Sequence, residues 1–168
     1  MENLENSEKK GPGKKEFSAP DPLLISDHES AKEVAKQLIT DYHPHLASAN
    51  IIYLCRSKAQ KQGGKKLFGS VKKASPIERH IGGGYFPIGE EADFIMMIAL
   101  DVWNVSENNQ RTAMIDHLLT RCCGEEDDKT GHMRYFLQAP SVQEFAEIAN
   151  RHGMWNSSLE EFAGNIRK

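Results

Sequence analysis

The segment 110–122 has the residue types and spacing of a helix that could carry metal chemistry. Residues four apart share one face of a helix, so the pattern His-Glu-x-x-His can place two imidazoles on one zinc ion, with the glutamate beside the bound water. In this chain His117 stands at the first position, Leu118 at that of the glutamate, and Arg121 at that of the second histidine. A guanidinium stays protonated and cannot bind a cation. The pattern therefore keeps one ligand and lacks the base and the second ligand.

A different metal site could be built from side chains near this helix. The candidate ligands are His117, Cys122, Cys123 and His132, since thiolates and imidazoles together form zinc sites. On a regular helix Cys122 lies about 140 degrees from His117, and Cys123 about 240 degrees, so neither shares its face. We therefore expect the cysteines to be packing residues and expect no cofactor. A rebuilt zinc site remains the alternative.

Other reactive residues form no recognisable catalytic pattern. His43 and His45 flank Pro44, in what we expect to be a solvent-facing turn. No Gly-x-Ser-x-Gly elbow is present, and the glycines of 80–85 do not follow the phosphate-binding pattern. We predict no nucleophilic catalytic site, and a flexible loop at 80–85.

Charge is unevenly distributed along the chain. The formal net charge of −3 argues against a wholly basic nucleic-acid binder, and residues 125–128 form an acidic block. Basic residues are concentrated between positions 56 and 79, and they are candidates for binding nucleic acid: Arg56, Lys58, Lys61, Lys65, Lys66, Lys72, Lys73 and Arg79. Because charge runs are usually solvated loop surface, both interpretations stay open.

Length and composition are typical of one compact domain. The chain has 168 residues, of which 39% are hydrophobic and 27% charged. Residues 1–24 contain few apolar anchors, so we expect a disordered tail followed by a single domain over 25–168. There is no apolar run of about 18 residues and no signal-peptide core, so we expect a cytoplasmic protein without membrane contact. The three cysteines form no disulfide framework.

The hydrophobic pattern predicts an α+β domain with about three or four strands and three or four helices. A first helix is expected from a Ser26–Glu29 capping box to Pro44. Strands are expected at 50–55 and 66–71, paired around a basic hairpin or loop, and at 92–100, which is apolar on both faces as a central strand would be. A further strand is expected at 132–137. The boundaries expected for the later helices are a cap at Asn104 or Ser106, a stop at Gly124, a capping box Ser141–Glu144, a stop at Gly153, and a cap at Asn156 or Ser157.

Several segments, in this order, carry a family resemblance: 65–76, 101–103, 111–117, 142–148 and 151–155. Together they resemble the putative phage metallopeptidase family, which is itself similar to the SprT-like zincins. The resemblance covers roughly 28–156. It implies a zincin-like α+β fold, with a small mixed sheet packed by helices that include the active-site helix.

The same resemblance identifies which site positions have changed. In the family the helix reads approximately Ala-Leu-x-Asp-His-Glu-Leu-x-His, and a third histidine opens a later segment. Asp116 and His117 match this pattern, Leu118 and Arg121 replace the base and the second ligand, and Pro140 stands at the third histidine. We therefore expect a degenerate active site whose cleft is refilled by Leu118, Arg121 and Pro140, and no catalytic residue.

The resemblance and the missing ligands together lead to three functional hypotheses. The first is an inactive, metallopeptidase-like phage protein that binds a host or phage protein in the host cytoplasm, for example to inhibit a defence system or a factor of DNA metabolism. The second is a DNA-binding accessory protein that uses the basic residues of 56–79. The third is an active zinc metallopeptidase with a rebuilt metal site.

Overall fold

The computed structural model describes residues 25–87, 90–143 and 146–167. The strands are β1 (Ile25–Asp27), β2 (Ile51–Arg56), β3 (Lys61–Gln62), β4 (Lys65–Lys66), β5 (Gly69–Lys73), β6 (Phe94–Ala99), β7 (Cys122–Glu126) and β8 (Met133–Leu137). The helices are α1 (Glu29–Tyr42), α2 (Pro76–Gly82), α3 (Leu100–Trp103), α4 (Asn108–Thr120), α5 (Ala146–His152) and α6 (Ser157–Ile166). The predicted α+β class is confirmed. The predicted tail, 1–24, lies outside the described residues.

The main sheet has four strands in the order β1-β2-β6-β5. The central strands β2 and β6 are parallel, while the outer strands β1 and β5 run antiparallel to their neighbours. Strand β6 is central as predicted, because its apolar residues are covered on both faces of the sheet. Two separate hairpins, β3–β4 and β7–β8, complete the strands. Among the described residues no helix is long and apolar enough to cross a membrane.

The principal core lies between one face of this sheet and helices α1 and α4. It brings Ala31 and Leu38 of α1 against Phe94 and Met96 of β6, with Leu119 of α4 closing the layer. These side chains recur at helical spacing in α1 and α4 and alternate along β6, so each element presents one apolar side to the others. A smaller cluster on the opposite face of the sheet is formed by Ile52, Ala74 and Ala92.

The predicted pairing of the strands at 50–55 and 66–71 is wrong. Strands β2 and β5 each pair with β6 and not with each other, since β6 is apolar enough to be buried between them. The expected basic hairpin exists as β3–β4, where Gly63 and Gly64 form the turn with φ of 54° and 78°. Glycine adopts such positive φ values without the steric cost that other residues incur.

The first helix does not begin with the predicted capping box. Ser26 lies in β1 opposite Cys55, and its hydroxyl is 3.2 Å from the thiol of that cysteine. Helix α1 starts at Glu29 after His28, whose side chain makes no capping bond. The backbone before α1 is extended because it pairs with β2, a long-range contact that local spacing does not reveal.

The glycine-rich stretch at 80–85 is helical, so the prediction of a flexible loop is wrong. A capping box of Ser75 and Glu78 opens α2, and a 3-10 turn over Gly83–Tyr85 follows it. A Cβ atom at Gly82 would come within 2.8 Å of side-chain carbons of Ala92 and Ile52. Glycine is therefore needed at Gly82 for close packing.

Two predicted boundaries of the later helices also differ. Helix α4 is capped by Glu107 and Gln110, not by Asn104 or Ser106, and it ends at Thr120, not at Gly124. Gly124 lies in β7 opposite Tyr135, and the acidic block begins in the same strand.

Two of the C-terminal boundaries are confirmed. Gly153 follows α5 with φ of 65°, and the Asn156 side chain caps α6. The predicted capping box opened by Ser141 falls partly on 144–145, outside the described residues.

A cleft beside helix α4

Helix α4 has one face in the core and another in a cleft. Ile115, Leu118 and Leu119 are buried against the sheet. His117 and Arg121 lie one helical turn apart on a different side, because residues four apart share a face. The imidazole of His117 packs edge-on against Phe68, with 5.4 Å between ring centres.

The cleft has a volume of about 670 Å³ and is lined mainly by apolar and small side chains. One wall is α4, and the other is formed by the segment after β8 together with α5 and α6. Gln138 ties the two walls together: its backbone N–H donates to the Arg121 carbonyl over 2.9 Å, and its side-chain amide donates to the Thr120 carbonyl over 2.5 Å. These two bonds hold the chain that carries Pro140 against the end of α4.

Three of the four predicted site positions meet in this cleft. His117, Arg121 and Pro140 all line it, although Pro140 is far from the other two in sequence. Leu118 does not, and the expectation that it refills the cleft is wrong. Its side chain is 1% exposed in the principal core and lies beside Gly69 of the edge strand β5. The position that the resemblance predicts for the catalytic base therefore faces the sheet.

The cleft has a positive end. Arg121 is half-buried, and its Nε atom is buried without a hydrogen-bond partner. The described residues that line the cleft include no aspartate or glutamate. Glu161 lines a smaller neighbouring cavity with Ser141 and Phe162. The guanidinium thus meets no carboxylate among the described lining residues.

The candidate zinc ligands are not brought together. Cys122 is buried, its thiol donates to the Leu118 carbonyl over 3.5 Å, and burial raises its pKa to about 12. Cys123, the next residue of β7, points to the opposite side of its hairpin. His132 lines a different cavity, with Lys73, and not the cleft of His117.

A resident zinc ion does not fit this donor set. Within 25–87, 90–143 and 146–167, no three His, Cys, Asp or Glu side chains are grouped closely enough to hold a metal ion. A protonated guanidinium at Arg121 would also repel the cation. The absence of a cofactor stays a prediction.

The turn of His43 and His45 is a structural junction, so the prediction that both face solvent is wrong. His43 is 7% exposed, and its Nε2 lies 2.7 Å from Oδ1 of Asp116 on α4. His45 is exposed, but its Nε2 contacts the Cys122 carbonyl at 3.1 Å. The two contacts join the end of α1 to α4 and β7, and so help to position the cleft helix. Sequence spacing missed this pair because its members are 73 residues apart.

The basic residues between 56 and 79 do not form one uncompensated surface. Lys66 contacts Asp101 at 2.9 Å, Lys72 pairs with Glu78, and Arg79 contacts Glu91 at 2.9 Å. The hydrogen bond from Lys72 is the main reason why the pKa of Glu78 falls to about 2.

The other basic residues differ in their surroundings. Arg56 is half-buried, and its Nε has no hydrogen-bond partner. Lys73 is exposed at the end of β5 and lines two small cavities. Lys58, Lys61 and Lys65 lie on or next to the β3–β4 hairpin. Their role in binding nucleic acid stays a prediction.

A mixed sheet with α4 packed on one face, and a cleft along that helix, is consistent with a metallopeptidase-like α+β domain. A family profile described as putative phage metallopeptidase matches residues 25–164, and the chain therefore belongs to that family. The resemblance predicted from the separate segments is confirmed. Neither a curated protein nor a solved structure matches the chain.

Proposed function

We propose that this member of the putative phage metallopeptidase family binds a host or phage protein and does not cleave peptide bonds. The observation that carries the proposal is the position of Arg121. It stands four residues after His117, where the family pattern has the second ligand, and both side chains line the cleft with Pro140. Family membership supports the phage origin, and the altered site supports the loss of chemistry.

The chemical argument against zinc hydrolysis rests on the donor count. A catalytic zinc ion is held by about three protein ligands and leaves one position for the water that it activates. The cleft offers the imidazole of His117 and, at the next two ligand positions, the guanidinium of Arg121 and the ring of Pro140. No carboxylate follows His117 to move a proton, because Leu118 occupies that position and is buried. One imidazole binds zinc too weakly to retain it against competing cellular ligands.

Protein binding agrees with the surface around the cleft. Phe162 lines the cleft and is 50% exposed, and Trp155 and Ile166 nearby in sequence are 58% and 68% exposed. Exposed aromatic and aliphatic side chains grouped near a concave surface are typical of sites for a protein partner. In the host cytoplasm such a partner would be a defence protein or a factor of DNA metabolism whose activity the bound phage protein inhibits.

Capture from a bacterial lysate tests the proposal. The tagged protein is compared with Arg121→Glu and with Arg151→Glu, which changes an exposed arginine outside the cleft lining. We expect a specific protein that Arg121→Glu captures at least about tenfold less and that Arg151→Glu captures normally, since reversing a buried charge contact costs about 2–5 kcal/mol. The purified partner must then bind saturably. Absence of any partner, or equal capture by both variants, contradicts the proposal.

Metal analysis tests the competing zinc hypothesis directly. The protein is purified without chelator, and its zinc content is measured together with cleavage of a denatured casein substrate. We expect far less than one zinc per chain and no cleavage that a chelator abolishes. Nearly stoichiometric zinc with chelator-sensitive cleavage would instead establish a rebuilt metallopeptidase site and overturn the proposal.

The β3–β4 hairpin favours DNA binding as a second candidate. Lys61 lies directly opposite Lys66 in the register, and Lys65 is exposed next to the turn. Asp101 already compensates Lys66, so Lys61 and Lys65 are the hairpin lysines that phosphates of DNA would contact. A Lys61→Gln/Lys65→Gln variant should then bind DNA less tightly and with a shallower salt dependence. No binding of the wild type at low salt removes this candidate.

A further inference from the structure

We infer that Arg121 is a carboxylate receptor, and that the cleft binds an apolar peptide segment carrying one acidic group next to its apolar residues. This inference deepens the proposed function and rests on it, since it states which partner chemistry the cleft selects. It begins from the hydrogen-bonding state of the guanidinium. The Nε of Arg121 is buried without an acceptor, although buried donors in folded proteins are nearly always paired.

Among residues 25–87, 90–143 and 146–167, no side chain or free carbonyl that lines the cleft is bonded to the guanidinium. The two carbonyls at the end of α4, those of Thr120 and Arg121, already accept hydrogen bonds from Gln138. Asp116, on the same helix, is bonded to His43. No described lining residue carries a carboxylate. Within the part of the chain that the structure describes, the Nε of Arg121 is thus left without an acceptor, and a carboxylate on a ligand would give the guanidinium one.

The surroundings of Arg121 should make its binding of a carboxylate strong and selective. The walls opposite α4 include Val142, Ala149, Leu159 and Phe162, so a carboxylate bound to Arg121 would lie in a mainly apolar cleft. An ion pair is stronger where the local dielectric constant is low, and the planar fork of an arginine matches a carboxylate in two parallel hydrogen bonds. One arginine neutralises the single charge of a carboxylate, whereas a phosphate of nearly two charges would bring an uncompensated charge into the apolar cleft.

The form of the cleft favours a peptide over a small molecule. Its volume of about 670 Å³ has room for several side chains. Apolar surface continues at Phe162, which is half-exposed, and at Ile166, one turn further along α6. A small ligand would leave this surface in water, whereas the flanking residues of a peptide would cover it.

An array of short, terminally blocked peptides tests the inference. Each peptide has one fixed central residue, and its other positions are varied among small and apolar residues. We expect the wild-type protein to bind peptides with central Asp or Glu at least about tenfold better than those with Asn or Gln. Arg121→Gln should lose this preference, and Arg121→Glu should prefer central Lys. Arg151→Gln, outside the cleft, should behave as wild type.

Two further sets of peptides identify the kind of anion that the cleft binds, and one further variant tests the apolar wall. Apolar peptides with a free C-terminal carboxylate show whether the receptor takes a chain end, and peptides with central phosphoserine test the competing anion. A Phe162→Ser variant should bind every peptide more weakly. The ratio of its affinities for acidic and amide peptides should stay that of the wild type. Circular dichroism spectra confirm that each variant is folded.

The outcomes separate this inference from the proposed function. No acid preference, a preference that survives in Arg121→Gln, stronger binding of phosphoserine, or no bound peptide at all overturns the carboxylate receptor. Binding of peptides without acid preference leaves the protein-binding function intact. Chelator-sensitive cleavage of bound peptides overturns the non-catalytic function, but a preference that depends on Arg121 would still establish its role.

Discussion

Replacing Leu118 with glutamate restores the acid of the His-Glu-x-x-His pattern, and we expect it to unfold the domain and not to restore catalysis. In this chain the side chain at position 118 points into the principal core and is 1% exposed. It lies beside Gly69 of β5, and a carboxylate buried to this depth would lose its hydration. The substitution therefore removes a buried apolar side chain and places an ionisable group in its position.

The expected loss of stability has two parts. Losing the buried leucine costs about 1.5–3 kcal/mol. Keeping the new carboxyl group neutral at pH 7, when its ordinary pKa is about 4.3, costs about 4 kcal/mol, since each pKa unit corresponds to about 1.4 kcal/mol. The sum of about 5–7 kcal/mol approaches the whole free energy of unfolding of a typical domain, about 5–15 kcal/mol.

Urea unfolding followed by circular dichroism at pH 5 and pH 7 measures this loss. Burial raises the folded-state pKa of the new glutamate, so its stability penalty grows as pH rises above about 4.3 and is smaller by about 3 kcal/mol at pH 5 than at pH 7. Leu118→Gln cannot ionise and should show no such additional pH dependence relative to wild type. Leu118→Met, which conserves volume, should cost less than about 1.5 kcal/mol. A Leu118→Glu protein with wild-type stability at pH 7 would refute the placement of this side chain in the core.

Three further predictions concern the elements that position the cleft. Replacing His43 with alanine should lower the free energy of unfolding by about 1–3 kcal/mol, because Asp116 loses a hydrogen bond at 2.7 Å. Unfolding curves of the His43 variant, an Asp116→Ala variant and the double variant should give a coupling energy between the two residues. Strictly additive effects of the two substitutions would contradict the contact. Burial, together with the charge of Arg111, lowers the pKa of His28 from its ordinary value of 6.5. The unfolded chain therefore binds a proton at His28 more readily, and the stability of the fold should fall as the pH falls below 6.5. The melting temperature of a His28→Phe variant should depend less on pH. Gly69→Ala should destabilise by about 1–3 kcal/mol, because its Cβ would lie 2.8 Å from the Met97 carbonyl oxygen; equal stability of variant and wild type in urea would exclude that close approach.

Much of the fold could be predicted because hydrophobic periodicity is a local property. The apolar run that becomes β6 predicted a central strand, and the spacing in α1 and α4 predicted one buried face for each helix. The missed elements depend on long-range pairing or on packing. Strand β1 is extended because it pairs with β2, and the stretch before Tyr85 is helical because Gly82 packs closely on the second face of the sheet.

The candidate site was predictable in its residue types but not in its geometry. Spacing placed His117 and Arg121 on one face, and the family resemblance predicted Pro140 as a further site position, which lies in the same cleft. The same reasoning placed Leu118 in the cleft, where it is not, because helical spacing does not say which side of the helix meets the sheet. The bond between His43 and Asp116 had no signal in the sequence at all.

The sequence alone determined the family, the α+β class and the presence of an arginine four residues after His117, since these depend only on residue types and their order. The tertiary structure decided which of the predicted site positions can act together. It brings Arg121 and Pro140 into one cleft through the return of the chain after β8, and it turns Leu118 into the core. The physical reason is that a helix packed on a sheet must bury one face, and only the packing partner determines which side chains remain available to a ligand.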